Sequence, residues 1–507
     1  MSDAVVAPSI WNITARQWLI LVTVQLTTLL YGMSITVANV VLPQIQGAMS
    51  ATQDQIAWVV TFNLVATAVG TPLTGWLANR LGWRTVLFGA LAGFTISSAL
   101  CGIANSLEFL IAARIGQGFF GAAIMPMGQG LLMASFPRPL HALVTMIWGI
   151  GAVFGPISGP ALGSIVSEAT NWQGAFLMIV PPAIVATALT WFALAGHNER
   201  RRVSFDWTGF LALACALSAA QLIIDRGQRL DWFASTEIVI EACVAAGALW
   251  IFVVHSLTTQ RPFFDLRILL DRNFTVGLLV AFVMGMLSFT PMVLFPTLLH
   301  GLRGYPESLI GLLLAGRGLG NLASFLIVVQ ATRWNARYAL AAGLLLQALS
   351  GWWMAQLDIN MTTADVFWTN ALQGFGFGLA FTPMSVLAFA TLSRHHLAEG
   401  MSLFHLIRNF GSSLFISASV VVVIRSTAAN YAILSENVSN FNRTLAWPSA
   451  LGAWDPTTSI GLSQISGELE RQAAMIGYIN AFYLYTITAA LAVPLAWLLR
   501  DVPKERD

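Results

Sequence analysis

Runs of about 20 apolar residues recur along almost the whole chain, and no other feature limits its fold so strongly. They lie near 17–39, 55–78, 84–104, 108–133, 141–165, 173–196, 206–225, 236–257, 273–299, 307–330, 337–357, 364–391, 399–425 and 474–499. A helix needs about 20 residues to cross the roughly 30 Å hydrocarbon core of a bilayer. Each run therefore reads as one spanning helix. Charged residues are only 9% of the 507 and mean hydropathy is +0.72, against about 25% charge in a soluble domain. So little charge could not cover a water-facing surface. The expected fold class is an all-α integral membrane protein with fourteen transmembrane helices. The first run is too long for the core of a signal peptide, so it is expected to stay as a helix.

Loop charges give the direction. All 25 Lys and Arg are arginine except Lys504. One side collects Arg16, Arg80, Arg84, Arg138, Arg200, Arg201, Arg202, Arg261, Arg267, Arg272, Arg333, Arg337, Arg394, Arg500, Lys504 and Arg506. The other has only Arg226, Arg229, Arg303, Arg425, Arg443 and Arg471. The positive-inside rule then places both termini in the cytoplasm and the polar 426–473 loop outside.

Two helices look alike. "RIGQGFFGAAIMPM" (114–127) lies in helix four and "NALQGFGFGLAFTPM" (370–384) in helix twelve. Each is fourth in a set of six. This predicts two parallel six-helix halves, 17–198 and 261–499, with two inserted helices in 199–260. A short segment, 1–16, precedes them and a tail, 500–507, follows. Parallel repeats imply alternating access to a site between the halves.

Several strings resemble a known family. "GWLANRLGWRTVL" (75–87) resembles the signature loop of the major facilitator superfamily, through Gly75, Arg80, Gly82 and Arg84. "RIGQGFFGA" (114–122) and "GIGAVFGPISGPALG" (149–163) resemble its helix-four and helix-five antiporter motifs. "SITVANVVLP" (34–43) is similar to the helix-one motif of the fourteen-helix drug:proton antiporters. "LIIDRGQRLDWFASTEI" (222–238) and "DRNFTVG" (271–277) resemble the EmrB-type multidrug efflux branch.

The resemblance implies the major facilitator fold in the bacterial inner membrane, exporting hydrophobic compounds against inward proton flow. It also implies a periplasmic adaptor and a TolC-type outer-membrane channel as partners. An exporter dedicated to one natural product, such as a siderophore or fatty acid, is the alternative, as is a transporter without proton coupling. Two positions depart from the family. Asn79 stands where the signature loop usually has an acid, and Ser34 where the helix-one motif usually has an aspartate.

Candidate residues follow from polarity at membrane depth. A charge there costs at least about 2.5–3.5 kcal/mol, so it should face protein or water. Arg114 shares a helical face with Gln117, Gly118, Gly121, Met125 and Gly128. It reads either as a gating or proton-linked cation or as a structural one satisfied by carbonyls. Arg317 shares a face with Asn321 and Ser324. His405 and Arg408 lie one turn apart among Ser402, Asn409 and Ser412, and His405 is the first candidate for the proton. Asp225 is the second; it and Glu241 also read as solvated acids near the outer interface. Ser34, Asn39, Asn63, Thr67, Gln117, Met125, Gln373 and Phe377 are candidates to line the cavity. In helix one, Gln25, Thr28, Gly32, Thr36 and Asn39 form a stripe suited to a neighbouring helix or a wet wall.

On helix five, Gly151, Gly155, Pro156, Gly159, Pro160 and Gly163 recur near one-turn spacing and allow close approach of another helix. The resemblance implies that this motif marks a helix packed against the opposite half. Cys101, Cys215 and Cys243 read as small packing residues. No metal site, cofactor or enzyme activity is expected, because no ligand or nucleophile spacing occurs. Trp447 and Trp454 of the outer loop could dock on a partner. Asn437 and Asn442 match glycosylation patterns only weakly.

Overall fold

A computed structural model describes residues 14–194, 204–393, 396–438, 454–455 and 458–500. Arg200, Arg201, Arg202, Arg394, Asn442, Arg443, Trp447, Lys504 and Arg506 lie outside them. Among the described residues there is no strand, and thirteen helices are long and apolar enough to cross a membrane. In chain order the first nine are α1 (Ala15–Ala48), α2 (Gln53–Leu81), α3 (Trp83–Gly102), α4 (Leu107–Ser135), α5 (His141–Ala169), α6 (Trp172–Ala193), α7 (Trp207–Arg226), α8 (Thr236–Thr258) and α9 (Arg272–Arg303).

The stretch Glu307–Met354 is 48 residues long. Straight, it would reach about 72 Å. It is instead two helices meeting at Asn335, whose φ of −160° and ψ of 107° are extended. The Asn335 Oδ1 accepts from the Arg337 and Tyr338 N–H groups at 3.0 and 3.3 Å. An asparagine capping a new first turn is a sufficient cause for the break. The arms are α10 (307–334) and α11 (336–354). They are followed by α12 (Thr363–Phe389), α13 (Leu397–Ser435) and α14 (Ser459–Leu498).

Short polar caps start the helices. Thr14, Thr52 and Thr362 each make a capping box, with Gln17, Gln55 and Asp365. Between α2 and α3 a single residue turns the chain. Gly82 has φ 86°, open only to glycine without strain, so one residue ends one helix and starts the next.

α13 and α14 correct the sequence reading. Both run well into 426–473, expected there to be loop. Their polar residues bond each other. Asn480 Nδ2 donates to Ser426 Oγ at 2.6 Å, and the Tyr431 and Ser466 hydroxyls meet at 2.9 Å. Low hydropathy marks the end of the apolar zone, not the end of a helix. Trp454 is exposed beyond them. Cys215 and Cys243 are also corrected: they lie on exposed faces, and only Cys101 is buried.

Asp206 begins α7 and gathers three donors. It accepts from the Gly209 N–H at 3.0 Å, the Phe263 N–H at 3.0 Å and the His255 Nε2 at 2.8 Å. Burial pushes its carboxyl up, but these three bonds together hold it below its ordinary 3.8. The stabilisation is complete above about 3.8 and is lost as pH falls through the lower folded-state value. Asp206→Asn is therefore expected to lower the melting temperature at neutral pH and to flatten its decline in acid. A melting series from neutral pH to about pH 3 checks this; an unchanged acid limb would refute it.

Candidate functional site

Each half carries a buried polar knot around its Gln-Gly pair. In the first, Arg114 is 1% exposed. Its Nε donates to the Val59 carbonyl at 3.2 Å, and its Nη1 bonds the Gln117 Oε1. Gln117 Nε2 donates to Ser98 Oγ on α3 at 2.8 Å, and the Phe176 ring of α6 lies 5.8 Å from the guanidinium. In the second half, Gln373 Nε2 bonds Gln347 Oε1 on α11 at 3.3 Å and the Tyr485 hydroxyl on α14 at 3.3 Å. The third, fourth and sixth helices thus meet directly at Gln373 in the second half, and around the Arg114–Gln117 pair in the first.

Asn63 and Thr67 serve the first knot. The Asn63 amide donates to the Arg114 carbonyl at 2.8 Å and the Thr67 hydroxyl reaches the Gly118 carbonyl at 3.2 Å. Both tie α2 to α4. Met125 is buried just past a break in α4, which stops at Gly121 and resumes at Ile124. α12 is continuous through its own Pro383, so the two similar strings differ in local form.

The helix-five glycines pack on α1 of their own half, while the contact of α5 with the opposite half is made by another face. A Cβ on Gly155 would lie 2.6 Å from the Leu29 carbonyl oxygen, and one on Gly151 3.0 Å from Gln25 Nε2. Gly159 faces Thr36 and Met33, Gly163 faces Val37, and the Pro156 ring sits against Gly32. Gln25, Gly32 and Thr36 of the helix-one stripe lie on the other side of this contact. The cause is steric: the α5 row has no side chains in the way, so its backbone reaches the α1 backbone at Leu29, Gly32 and Met33. Pro160, half-buried, lies in the same helix. A different face of α5 meets the second half, where Phe154 and Ile157 oppose Gly318 of α10.

Between the halves the signature-loop end is closed. Asn79 Nδ2 donates to Glu399 Oε1 of α13 at 3.2 Å, and Gly75 lies against the Glu399 backbone. Ser402 Oγ donates to the Thr71 carbonyl at 2.5 Å. Arg84 stays within the first half, with its Nε on the Trp191 carbonyl at 3.1 Å and its guanidinium 3.9 Å from that ring. Arg80 lies 5.2 Å from the Trp76 ring.

Deeper in the seam, Gln129 of α4 joins two residues of the other half. Its Nε2 donates to Ser385 Oγ at 3.1 Å, which leaves its Oε1 to accept from His405 Nε2 at 2.8 Å. The His405 Nδ1 is buried and, among the described residues, without a partner. Trp148 of α5 stacks on Phe381 at 5.7 Å and meets His405 edge-on at 5.8 Å. Arg408, half-buried, lies 5.9 Å from the Phe381 ring and touches Asn409 at 3.4 Å.

Glu399, Gln129 and Ser385 were not singled out in the sequence. Each is an isolated polar residue far along the chain from its partner. Only the departure at Asn79 hinted that an acid had to be sought elsewhere.

Ser34 is buried and bonds the Tyr31 carbonyl of its own helix at 2.7 Å, while Asn39 is exposed. Asp225 is exposed, as the sequence reading of a solvated acid expects, and Glu241 is half-buried, but each also has a protein partner. Asp225 bonds the Thr61 hydroxyl of α2, and Glu241 pairs with Arg226 at 3.3 Å, beside Glu237 at 2.6 Å. Neither reaches the seam residues above.

The Asn79–Glu399 contact gives a charge-swap prediction. Asn79→Asp sets two carboxylates together, a repulsion of order 1–3 kcal/mol, and should loosen the closed end. Glu399→Gln on top should restore it. Cysteine cross-linking across the α2–α13 contact reads this; no rescue in the double variant would refute it.

Comparisons with known proteins were made on sequence and on fold. Residues 25–416 match the model of the Major Facilitator Superfamily. The "Fatty acid resistance protein FarB" of Neisseria gonorrhoeae is 32% identical over 92% of both chains. The "Multidrug export protein EmrB" of Escherichia coli K12 is 29% identical over 94% of both. Among solved structures, the proton:xylose symporter XylE superposes with a TM-score of 0.61, at 12% identity over 95% of both chains.

Proposed function

Because the chain belongs to the Major Facilitator Superfamily, a family of transporters and not of enzymes, we propose that it is a proton-coupled efflux pump of the bacterial inner membrane. It exports hydrophobic or amphipathic small molecules by alternating access. The observation that carries this reading is the seam. Two similarly built halves meet at one end through a few hydrogen bonds that can be broken and remade.

Fourteen spans, with α10 and α11 counted separately, leave both termini cytoplasmic. The closed end is then the cytoplasmic end. The relatives' names favour drugs or fatty acids as cargo. The α13–α14 extension and Trp454 supply a surface outside the membrane for a periplasmic adaptor leading to a TolC-type channel.

His405 is the proposed proton carrier. The Gln129 amide orients it with the proton on Nε2, so its free lone pair is on Nδ1. A proton there adds a cation one turn from Arg408, and the repulsion favours parting the halves. Asp225 is bound to α2 away from this contact, which ranks it second.

The test is vesicle-lumen pH, followed while cargo is added to proteoliposomes. Cargo-driven proton movement is expected, with loss of at least about tenfold in His405→Gln. Export with no proton movement would overturn the antiport reading. Wild-type coupling in His405→Gln would overturn the assignment of the carrier.

A further inference from the structure

The two polar knots carry the same pair of residue types in exchanged places. In the first, the glycine after Gln117 packs on the backbone of Asn63: a Cβ on Gly118 would meet the Asn63 carbonyl oxygen. In the second, the glycine after Gln373 packs in the same way on α10: a Cβ on Gly374 would meet the Arg317 carbonyl oxygen. Asn63 and Arg317 are therefore counterparts on the second helix of each half. Three places before each glutamine, on the fourth helix, stand Arg114 and Asn370. The first half has its arginine on helix four and its asparagine on helix two; the second half has the reverse.

The exchange changes which groups are satisfied. Among the described residues, no side-chain nitrogen or oxygen of Asn63, Thr67, Arg114 or Gln117 is both buried and unpartnered. In the second knot the Arg317 Nε and Nη1 and the amide oxygens of Asn321, Asn370 and Gln373 all are. The causes are local. Asn370 turns its Nδ2 to the Val366 carbonyl of its own helix at 2.8 Å. Gln373 directs its Nε2 to Gln347 and Tyr485, which leaves its Oε1 over. The Arg317 guanidinium lies 5.4 Å from the Phe377 ring, one turn past Gln373. Arg317 is 3% exposed, and Asn321, Asn370 and Gln373 are no more so.

Buried polar groups left this bare are costly. An anion would suit the guanidinium and be repelled by the amide oxygens. A cation would suit the oxygens and be repelled by the guanidinium. Water both donates and accepts, and a buried water makes about three bonds to groups of this kind. We infer that the second knot is a hydration site, in which buried water bridges the Arg317 N–H groups to the amide oxygens of Asn321, Asn370 and Gln373, while the first knot is dry. Direct bonds pin α2 to α4. Water-bridged bonds are remade as α10 shifts along α12, so the second half is the pliable one. That last step rests on the transporter reading; the hydration does not.

The test is X-ray footprinting of the purified full-length protein, in which hydroxyl radicals made from water oxidise the side chains that touch it. Each knot carries its own probe: Phe377 beside Arg317, and Phe176, 5.8 Å from Arg114. Both rings are buried, at 8% and 0% exposed. Phe377 is expected to oxidise at least about tenfold faster than Phe176. The double variant Arg317→Asn with Asn370→Arg rebuilds the first-half arrangement, with the Leu313 carbonyl in the place of that of Val59. It should bring Phe377 to the rate of Phe176, raise the melting temperature and slow cargo export at least about tenfold.

Equal labelling of the two rings in wild type would overturn the hydration site. So would fast labelling of Phe377 that survives the exchange, since water of the pathway alone would then account for it. Full export by a double variant whose Phe377 is protected would overturn the role in movement. If the double variant does not fold, Arg317→Met decides. It should melt no lower than wild type; a fall as large as that of Arg114→Met, measured beside it, would show Arg317 held by the protein itself and overturn the inference. Footprinting needs no cargo, so fast labelling of Phe377 in a protein that exports nothing keeps the site and removes only the transporter reading.

Discussion

Arg114→Met is expected to melt at a clearly lower temperature than wild type, with a loss of about 2–4 kcal/mol. The variant keeps volume and removes the donors, so Gln117 Oε1 loses its bond and the Val59 carbonyl loses a second one. Each buried acceptor left unsatisfied costs about 1–3 kcal/mol. Arg114→Lys is expected between the two, because one ammonium cannot span both acceptors as a guanidinium does. Thermal unfolding in detergent, read beside transport, separates the two roles open to this residue. A Met variant that melts like wild type yet fails to transport would make Arg114 a working charge instead of a structural one.

Gly155→Ala and Gly149→Ala should move stability in opposite directions. At Gly155 the new methyl meets backbone, 2.6 Å from the Leu29 oxygen and 3.1 Å from the Gly32 Cα. No rotamer relieves this, so α1 and α5 must separate, at a cost of about 1–3 kcal/mol. At Gly149 nothing lies within 4 Å. Alanine there should gain up to about 1 kcal/mol of helix preference. Paired melting curves decide it; a harmless Gly155→Ala would mean that the α1–α5 contact is slack.

Helix positions were legible because apolar length reports membrane thickness directly. The duplication was legible from the Gln-Gly strings, although the knots they build need Ser98, Gln347 and Tyr485, which no string marks. Packing of the helix-five glycines was legible, but not their partner. A row of small residues states that something comes close and is silent about what. The seam was half-legible. His405 and Arg408 stood out as polar in an apolar helix, whereas Gln129 and Glu399 acquire meaning only from residues hundreds of positions away. The ends of α13 and α14 were missed because hydropathy measures solvent, not backbone form.

The inserted pair has its own consequence for movement. α7 is attached to α2 by Asp225 on Thr61 and by Arg226, 4.6 Å from the Trp58 ring. Its attachment to α13 includes the 3.3 Å bond from Gln221 to Ser413. Under the proposed alternating access, the stronger of these anchors would carry α7 and α8 along with the first half, and Gln221 would slip along α13 on each stroke. The pair would act as a curtain hung from one wall, sweeping across the gap between α2 and α13 and keeping lipid tails out of the pathway while the opposite wall moves behind it.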